Sequence, residues 1–290
     1  MARPATYFLN RQRESPDWIL PGLLKRKNCA FILGEPKKAC KSWLLLNLAW
    51  DLSEGKPIWD FPHEELLRPP RPMRTVIFSQ EDTEDDLHDR IIDRLTTLGK
   101  RKPNDRLWVV PKNLQICFDS TEGIKLLQAE LDSVLEVGPI DLVAFDPMRR
   151  MHYKSENDSE IIAQLWRVMA KIQERYNCST LFNHHIIKPT GDPESFFDRT
   201  SPFIARGSGD IYGGGDAFIN IVPHKEKLDK DGHKVRDLEL YFESKRSQPL
   251  YPCLVRTDFE TGLVSYVGQV KAKSGNSEDD DEITPMGNRQ

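Results

Sequence analysis

No run of about 18 uncharged apolar residues occurs in this chain, so the sequence offers no membrane-crossing helix. The segment from Met1 to Trp18 carries Arg3, Arg11, Arg13, Glu14 and Asp17 and lacks an apolar core, so a secretory signal is not expected. Cysteine is sparse: Cys29, Cys40, Cys117, Cys178 and Cys253 are scattered and form no CxxC pair. That pattern excludes a zinc ribbon or disulfide framework and fits a reducing, cytoplasmic setting. Basic excess is missing too. The net charge is −4, and Glu278 to Gln290, with five acids and one arginine, supplies all of it, since −4 minus −4 leaves 0 for the rest. Any contact with nucleic acid must therefore come from local basic loops. Internal repeats are also absent.

What is present is an ordinary globular composition, with 38% hydrophobic and 30% charged residues in 290, enough for one or two domains. Residues 1–21 read as an N-terminal arm anchored by Trp18-Ile19-Leu20 and ended by the turn pair Pro21-Gly22. Residues 22–270 read as one core domain, and 271–290 as an acidic tail too poor in hydrophobics to order itself. Within the core, strands are expected at Cys29–Leu33, Thr75–Ser79, Leu107–Val110, Asp141–Asp146 and Ser179–Phe182. Helices are expected from Ser42, Thr83, Gly123 and about Asp158, with Ser155-x-x-Asp158 as the cap of the last. Leu67–Pro72 reads as a Pro/Arg linker, and Ile186–Ile211 as a long polar loop. Short strands near Ala217–Val222, Leu238–Glu243, Leu254–Arg256 and Leu263–Val267 suggest a hairpin-rich C-terminal end. Strands alternating with helices, several apolar on both faces, predict an α/β fold with a mainly parallel sheet covered by helices.

Four stretches carry chemistry. Gly34-Glu-Pro-Lys-Lys-Ala-Cys-Lys41-Ser42 lies between a strand and a helix, where a phosphate-binding loop belongs. There the backbone N–H groups and helix N-terminus would hold phosphates, Lys41 would reach the β/γ oxygens, and Ser42 would ligate Mg²⁺. The loop departs from the usual pattern: Gly34 stands seven residues before Lys41, and Cys40 occupies the place of a glycine. An ordinary basic strand–helix turn is the plainer alternative. Asp146 ends a buried apolar strand, as a Mg²⁺-binding acid does, or as an acid closing a turn does. Glu81, just after the Thr75–Ser79 strand, suits either a group orienting the attacking water or an acid favouring the next helix start. Asn183-His184-His185 closes the Ser179–Phe182 strand; no third ligand stands nearby, so a metal centre is not expected there.

In order along the chain, these residues resemble the RepA-type hexameric replicative helicases and their RecA-like ATPase relatives of plasmids and phages. The resemblance is densest from Asp141 to Pro189: Asp-Leu-Val-Ala-Phe-Asp-Pro-Met-Arg-Arg, then Glu156-Asn157-Asp158-Ser159, then Asn183-His184-His185 and Lys188. It extends to Pro16-Asp-Trp-Ile-Leu-Pro-Gly-Leu-Leu24, Gly34-Glu-Pro-Lys and Lys41-Ser42-Trp43-Leu44, covering roughly 16 to 267. The resemblance implies a RecA-like P-loop core with a C-terminal β-hairpin extension, ATP and Mg²⁺ as ligands, and hydrolysis at subunit interfaces of a hexameric ring. It implies that Gly34, Lys38, Cys40, Lys41, Ser42 and Trp43 form the nucleotide loop and helix start. Glu81 would match the catalytic glutamate, Ser42 and Asp146 the Mg²⁺ ligands, and His184 and His185 the γ-phosphate-sensing strand end. Arg206 would match an arginine finger acting on a neighbouring subunit, and Lys245 could approach the same nucleotide. Arg149, Arg150 and Lys154, with Tyr153, and the loop from Lys188 would line a channel for single-stranded DNA.

Three functions follow as expectations: an ATP-driven motor on single-stranded DNA in replication of a mobile replicon, a non-motor ATPase switch or loader for replication or recombination proteins, and a degenerate nucleotide-binding assembly module. Cys40 favours the last; the retained Glu81, Asp146 and Arg206 argue against it. A kinase would share the loop, but no second-substrate motif is present.

Overall fold

The computed structural model describes residues 2–9, 15–63, 65–100, 104–112, 116–187, 198, 200–205, 209–245 and 250–270. A short helix, α1 (Ala5–Leu9), precedes β1 (Trp18–Leu20), which pairs antiparallel with β2 (Leu24–Lys25). Ile19, Leu20 and Leu24 are fully buried, so the predicted anchor is a small β-ribbon sealed into the core. Next come β3 (Cys29–Gly34), α2 (Lys41–Glu54), β4 (Thr75–Ser79), α3 (Glu84–Thr97), β5 (Leu107–Val110) and α4 (Thr121–Val137). After these follow β6 (Leu142–Asp146), α5 (Ser159–Tyr176), β7 (Ser179–His185) and a single helical turn, α6 (Asp210–Gly214). The chain then forms β8 (Ala217–Leu228), β9 (Lys234–Ser244), β10 (Cys253–Asp258) and β11 (Val264–Gln269).

Nine strands make one sheet in the order β11-β10-β9-β8-β3-β7-β6-β4-β5. The pairs from β8 through β5 are parallel, and β8 to β11 form an antiparallel meander on one side. The expected α/β fold, with a mostly parallel sheet flanked by helices and C-terminal hairpins, is the fold observed. The strand β7 separates β3 from β6, so the strand leading into the Gly34 loop and the strand ending in Asp146 flank a common neighbour.

Each face of the sheet has its own core. On one, α2 is apolar almost all round and buries Leu44, Leu45, Leu48 and Leu52 against Ile32, Ile77, Ala144, Leu181 and Ile219. On the other, α4 and α5 cover a row of stacked rings. Phe78, Phe145, Phe182, Phe31 and Phe218 lie one per strand across β4-β6-β7-β3-β8, with successive centroids 5.4, 5.0, 5.4 and 5.6 Å apart. These residues are direct cross-strand partners, so the row pins the register. Side chains alternate along a strand. The residue after each ring on β4, β6 and β7 (Ser79, Asp146 and Asn183) therefore turns to the α2 face.

Local signals set most helix starts. Thr83 and Asp86 form a capping box at the start of α3, with the Asp86 amide 3.2 Å from the Thr83 hydroxyl. Ser120 caps α4. For α5 the cap is Asp158 itself, accepting the Glu160 amide at 2.9 Å; Ser155 instead accepts the amide of Asn157 in the preceding turn. The Leu67–Pro72 stretch is packed rather than free: Leu67 is 1% exposed, and Arg71 joins Arg26 on the buried carboxylate of Asp141. β7 runs three residues past the expected Phe182, because Asn183 to His185 pair in register with Ile32 to Gly34. β8 and β9 are also longer than predicted, forming one long hairpin in which the outer half of β8 is exposed while Val235 to Leu238 on β9 are buried.

Candidate active site at the strand ends

The loop after β3 closes tightly. A Cβ on Gly34 would sit 2.4 Å from that of Ala39, so only glycine fits. Lys37 and Cys40 both adopt left-handed backbone, with φ of 64° and 48°. Cys40 is the N-cap of α2 and gives it no side-chain cap, leaving the first helical N–H groups for an outside acceptor. The Lys41 ammonium curls back into the loop, donating to the carbonyls of Gly34 at 3.0 Å and Glu35 at 3.2 Å. Burial pushes Lys41 down to about 8, against the opposing pull of Asp146 and Glu81. Lys38 is largely exposed and pairs with Glu35 at 3.2 Å. The Trp43 indole packs on Gly262 and lies under the Arg90 guanidinium at 5.2 Å.

Opposite the loop, β4 and β6 deliver a polar group. Asp146 is 7% exposed, and its carboxyl is raised above the usual range by burial, with the nearby Ser42 hydroxyl and Asn183 amide working against that rise. Asp82 lies near enough to add to the rise; it is held by the Ser79 hydroxyl at 3.0 Å and Arg90 at 2.7 Å. Ser42, Ser79, Asp82, Arg90 and Asp146 line one small cavity beside the N-terminus of α2. Glu81, next in the chain, points outward, with its carboxylate 3.5 Å from Arg150 and its field felt at Lys41.

The histidine pair is split. His185 is the cross-strand partner of Gly34, and by alternation it shares the α2 face with Asn183. His184 turns to the opposite face, fully buried with its ring edge-on to Phe31 at 6.5 Å. On the α2 face the end of β7 is therefore formed by Asn183 and His185. Arg149 and Arg150 sit in a 3-10 turn (Met148–Met151) just after β6. Arg149 donates to the His152 carbonyl at 3.2 Å. Asp119 accepts the amides of Tyr153 and Lys154 at 3.0 Å, holding that loop with Tyr153 68% exposed. Lys245 folds onto α6, donating to the carbonyls of Tyr212 and Gly213. Lys188 and Arg206 lie outside the described residues.

This set fits a nucleotide with Mg²⁺. The Asn183 amide is fully buried without a well-formed hydrogen bond on either atom, and the Gln80 amide nitrogen is likewise unmatched. Ser42, Asp82 and Asp146 add the oxygen donors that a hard cation takes, and Lys41 has an ammonium to release from loop carbonyls to phosphate. The sequence pattern names Asn183 beside the histidine pair but assigns no site role to Asn183, Asp82 or Gln80. Asn183 could have been found from its place directly after an apolar run, one step before the histidines that drew attention. Among the described residues, no helix is long and apolar enough to cross a membrane.

No curated protein matches the chain. A family model described as an AAA domain (AAA_25) matches residues 3–191, well over half of the sequence and all of the strands β3, β4, β6 and β7 that build the site. The chain belongs to this family of AAA-type P-loop ATPase domains.

Proposed function

We propose that this protein is a RepA-type motor ATPase that couples ATP hydrolysis to movement on single-stranded DNA. The observation that carries the reading is the convergence of Lys41, Ser42, Asp146 and Asn183 on one face of the sheet, with Glu81 at the rim. Lys41 and the free N–H groups of α2 would bind the phosphates, and Ser42 and Asp146, with Asp82 close by, would hold Mg²⁺. Bound Mg²⁺ would neutralise charge on the phosphate oxygens. Glu81 would orient the attacking water, and Asn183 and His185 would sense whether the γ-phosphate is present. Arg206 of a neighbouring copy would complete the site in a homo-oligomeric ring, a hexamer by the family resemblance.

The basic loop of Arg149, Arg150, Tyr153 and Lys154, with Lys188, would track DNA phosphates and stack a base on the exposed tyrosine. Arg150 already touches Glu81, so DNA that takes this arginine would leave the glutamate free. The test is ATP turnover with and without single-stranded DNA, on wild type, Lys41→Ala, Glu81→Gln and Arg206→Ala. DNA-stimulated turnover lost in all three variants, together with strand separation, supports the motor. Turnover without strand separation points to a switch or loader of replication or recombination proteins. Cys40 in the strained position of the loop favours the third reading, an assembly module that binds nucleotide with little turnover. Binding without hydrolysis in the wild type would select it.

A further inference from the structure

The loop between Gly34 and Lys41 poses a problem of its own. Its N–H groups can face a phosphate only if its carbonyls face outward, where burial leaves them in need of donors. Lys41 serves the carbonyls of Gly34 and Glu35 from inside. Those of Lys37 and Lys38 are reached from outside by a residue far away in the sequence. Arg236 on β9 places Nη1 2.6 Å from the Lys38 carbonyl, 3.5 Å from that of Lys37 and 3.8 Å from the Cys40 sulfur.

The guanidinium is itself held. Arg236 is 9% exposed, lies directly opposite Glu226 across the β8–β9 hairpin, and bonds its carboxylate through Nη2. Lys234 clamps the other oxygen of Glu226 at 2.5 Å, and the ring of Phe259 lies 5.6 Å from the guanidinium. The two left-handed non-glycine residues of the loop, Lys37 and Cys40, are the backbone positions this contact spans. Such a backbone is strained for a residue with a side chain and persists where its surroundings over-determine it.

Resting on the reading of this loop as phosphate-binding, we infer that Arg236 is a positioning residue that holds the loop in its nucleotide-binding shape and so ties the C-terminal hairpin to the ATP site. Arg236 does the work that a glycine at position 40 would make unnecessary.

The test compares wild type, Arg236→Ala, Arg236→Lys, Cys40→Gly and the double variant Cys40→Gly/Arg236→Ala. The readouts are KM and kcat for ATP, thermal melting, and hydrogen exchange of the amides of residues 35–41 in nucleotide-free protein. Expected for Arg236→Ala is a rise in KM of about tenfold with kcat within about twofold, the signature of lost binding rather than lost chemistry. Loop amides should exchange faster while those of β6 and β7 do not. In the Cys40→Gly background the KM penalty should shrink to about threefold or less, since the strain at position 40 is gone and only that at Lys37 remains. Arg236→Lys keeps the charge but has no second nitrogen with which to bond the loop carbonyls and Glu226 together, so it should shift KM in the same direction, and it carries the test if the alanine variant does not fold. Unchanged KM and loop exchange, or a penalty of equal size in the Cys40→Gly background, would overturn the inference. A wild type that binds no ATP, with loop exchange still accelerated by Arg236→Ala, would sink the ATPase reading and leave the strut standing.

Discussion

Lys41 is an ammonium placed where burial opposes its charge, pushed down to about 8 and kept as high as that only by Asp146, Glu81 and its other acidic neighbours. A phosphate binds the charged form. ATP affinity should therefore be level below about pH 7.5 and weaken by up to about tenfold per pH unit beyond 8. Isothermal titration from about pH 7 to 9.5 checks this, and a constant Kd across that range would remove Lys41 from the phosphate contacts. Two other buried acids titrate in opposite senses. Burial raises Asp51 to about 7, with Arg94 and the Trp59 amide only partly opposing it. A raised carboxylate stabilises the fold below its unfolded value and loses that contribution as pH rises through 7. Asp51→Asn should flatten the fall in stability between about pH 4 and 7, a change on the order of 2 kcal/mol by denaturant melts.

Asp141 behaves the other way: burial would raise it, but hydrogen bonds from Arg71, Arg26 and the Arg74 amide hold it below the usual range. Its contribution is present above the unfolded carboxylate value and is lost only in acid. Asp141→Ala should cost about 3 kcal/mol at neutral pH by removing the buried carboxylate that Arg26, Arg71 and the Arg74 amide share, leaving Arg26 with only Asp17 and the Asn177 carbonyl, and the cost should narrow as pH falls below about 4. A cost that does not change with pH would mean that shape, not charge, is what the carboxylate supplies. Residue types gave Lys41, Ser42, Glu81 and Asp146 from the sequence, because an acid ending an apolar strand or a Lys-Ser pair opening a helix is a local pattern. Asn183 and Arg236 carry no such pattern, and their importance comes from neighbours 37 and 198 residues away.

At the level of elements, alternation along strands does the placing. Five rings on the α5 face hold the register of five strands, and that register puts Ser79 level with Asp146 on the α2 face. Truncating the ring at the centre of three neighbours should therefore loosen both faces. Phe145→Ala is expected to destabilise the fold by about 3–5 kcal/mol and Phe145→Leu by much less, with ATP affinity falling in step. Melting curves and KM measured on both variants test this, and an alanine variant that melts late but has lost ATP binding would show that the ring tunes the site without holding the sheet. Strand and helix identities were legible because apolar runs, capping boxes and helical spacing are local. The split of His184 from His185 was not, because it depends on which face β7 presents after pairing with β3. The linker reading of Leu67–Pro72 failed for a similar reason: composition marks it as polar, yet Arg71 is bound to the buried Asp141 just before β6.

For the whole molecule, the described fold supplies the nucleotide-facing half of a site: loop, acids and strand ends all lie on one chain. The proposed partner for that half is Arg206 of the next copy, which separates two properties that a single variant cannot. On the proposed reading, Lys41→Ala would remove phosphate binding from its own subunit, whereas Arg206→Ala would remove the finger given to a neighbour. Each variant alone should be inactive. Mixed in equal amounts under conditions that allow subunits to exchange, one interface in about four pairs an intact Lys41 with an intact Arg206, as random assembly in a closed ring requires. Turnover should then return to roughly a quarter of the wild-type rate, growing with protein concentration because the interfaces must form first. If Arg206 served its own subunit, no mixture of the two would contain a complete site and the activity would stay at background. If the mixture is silent but a Cys40→Gly/Arg206→Ala partner restores it, the interface is sound and the limit lies in the phosphate loop.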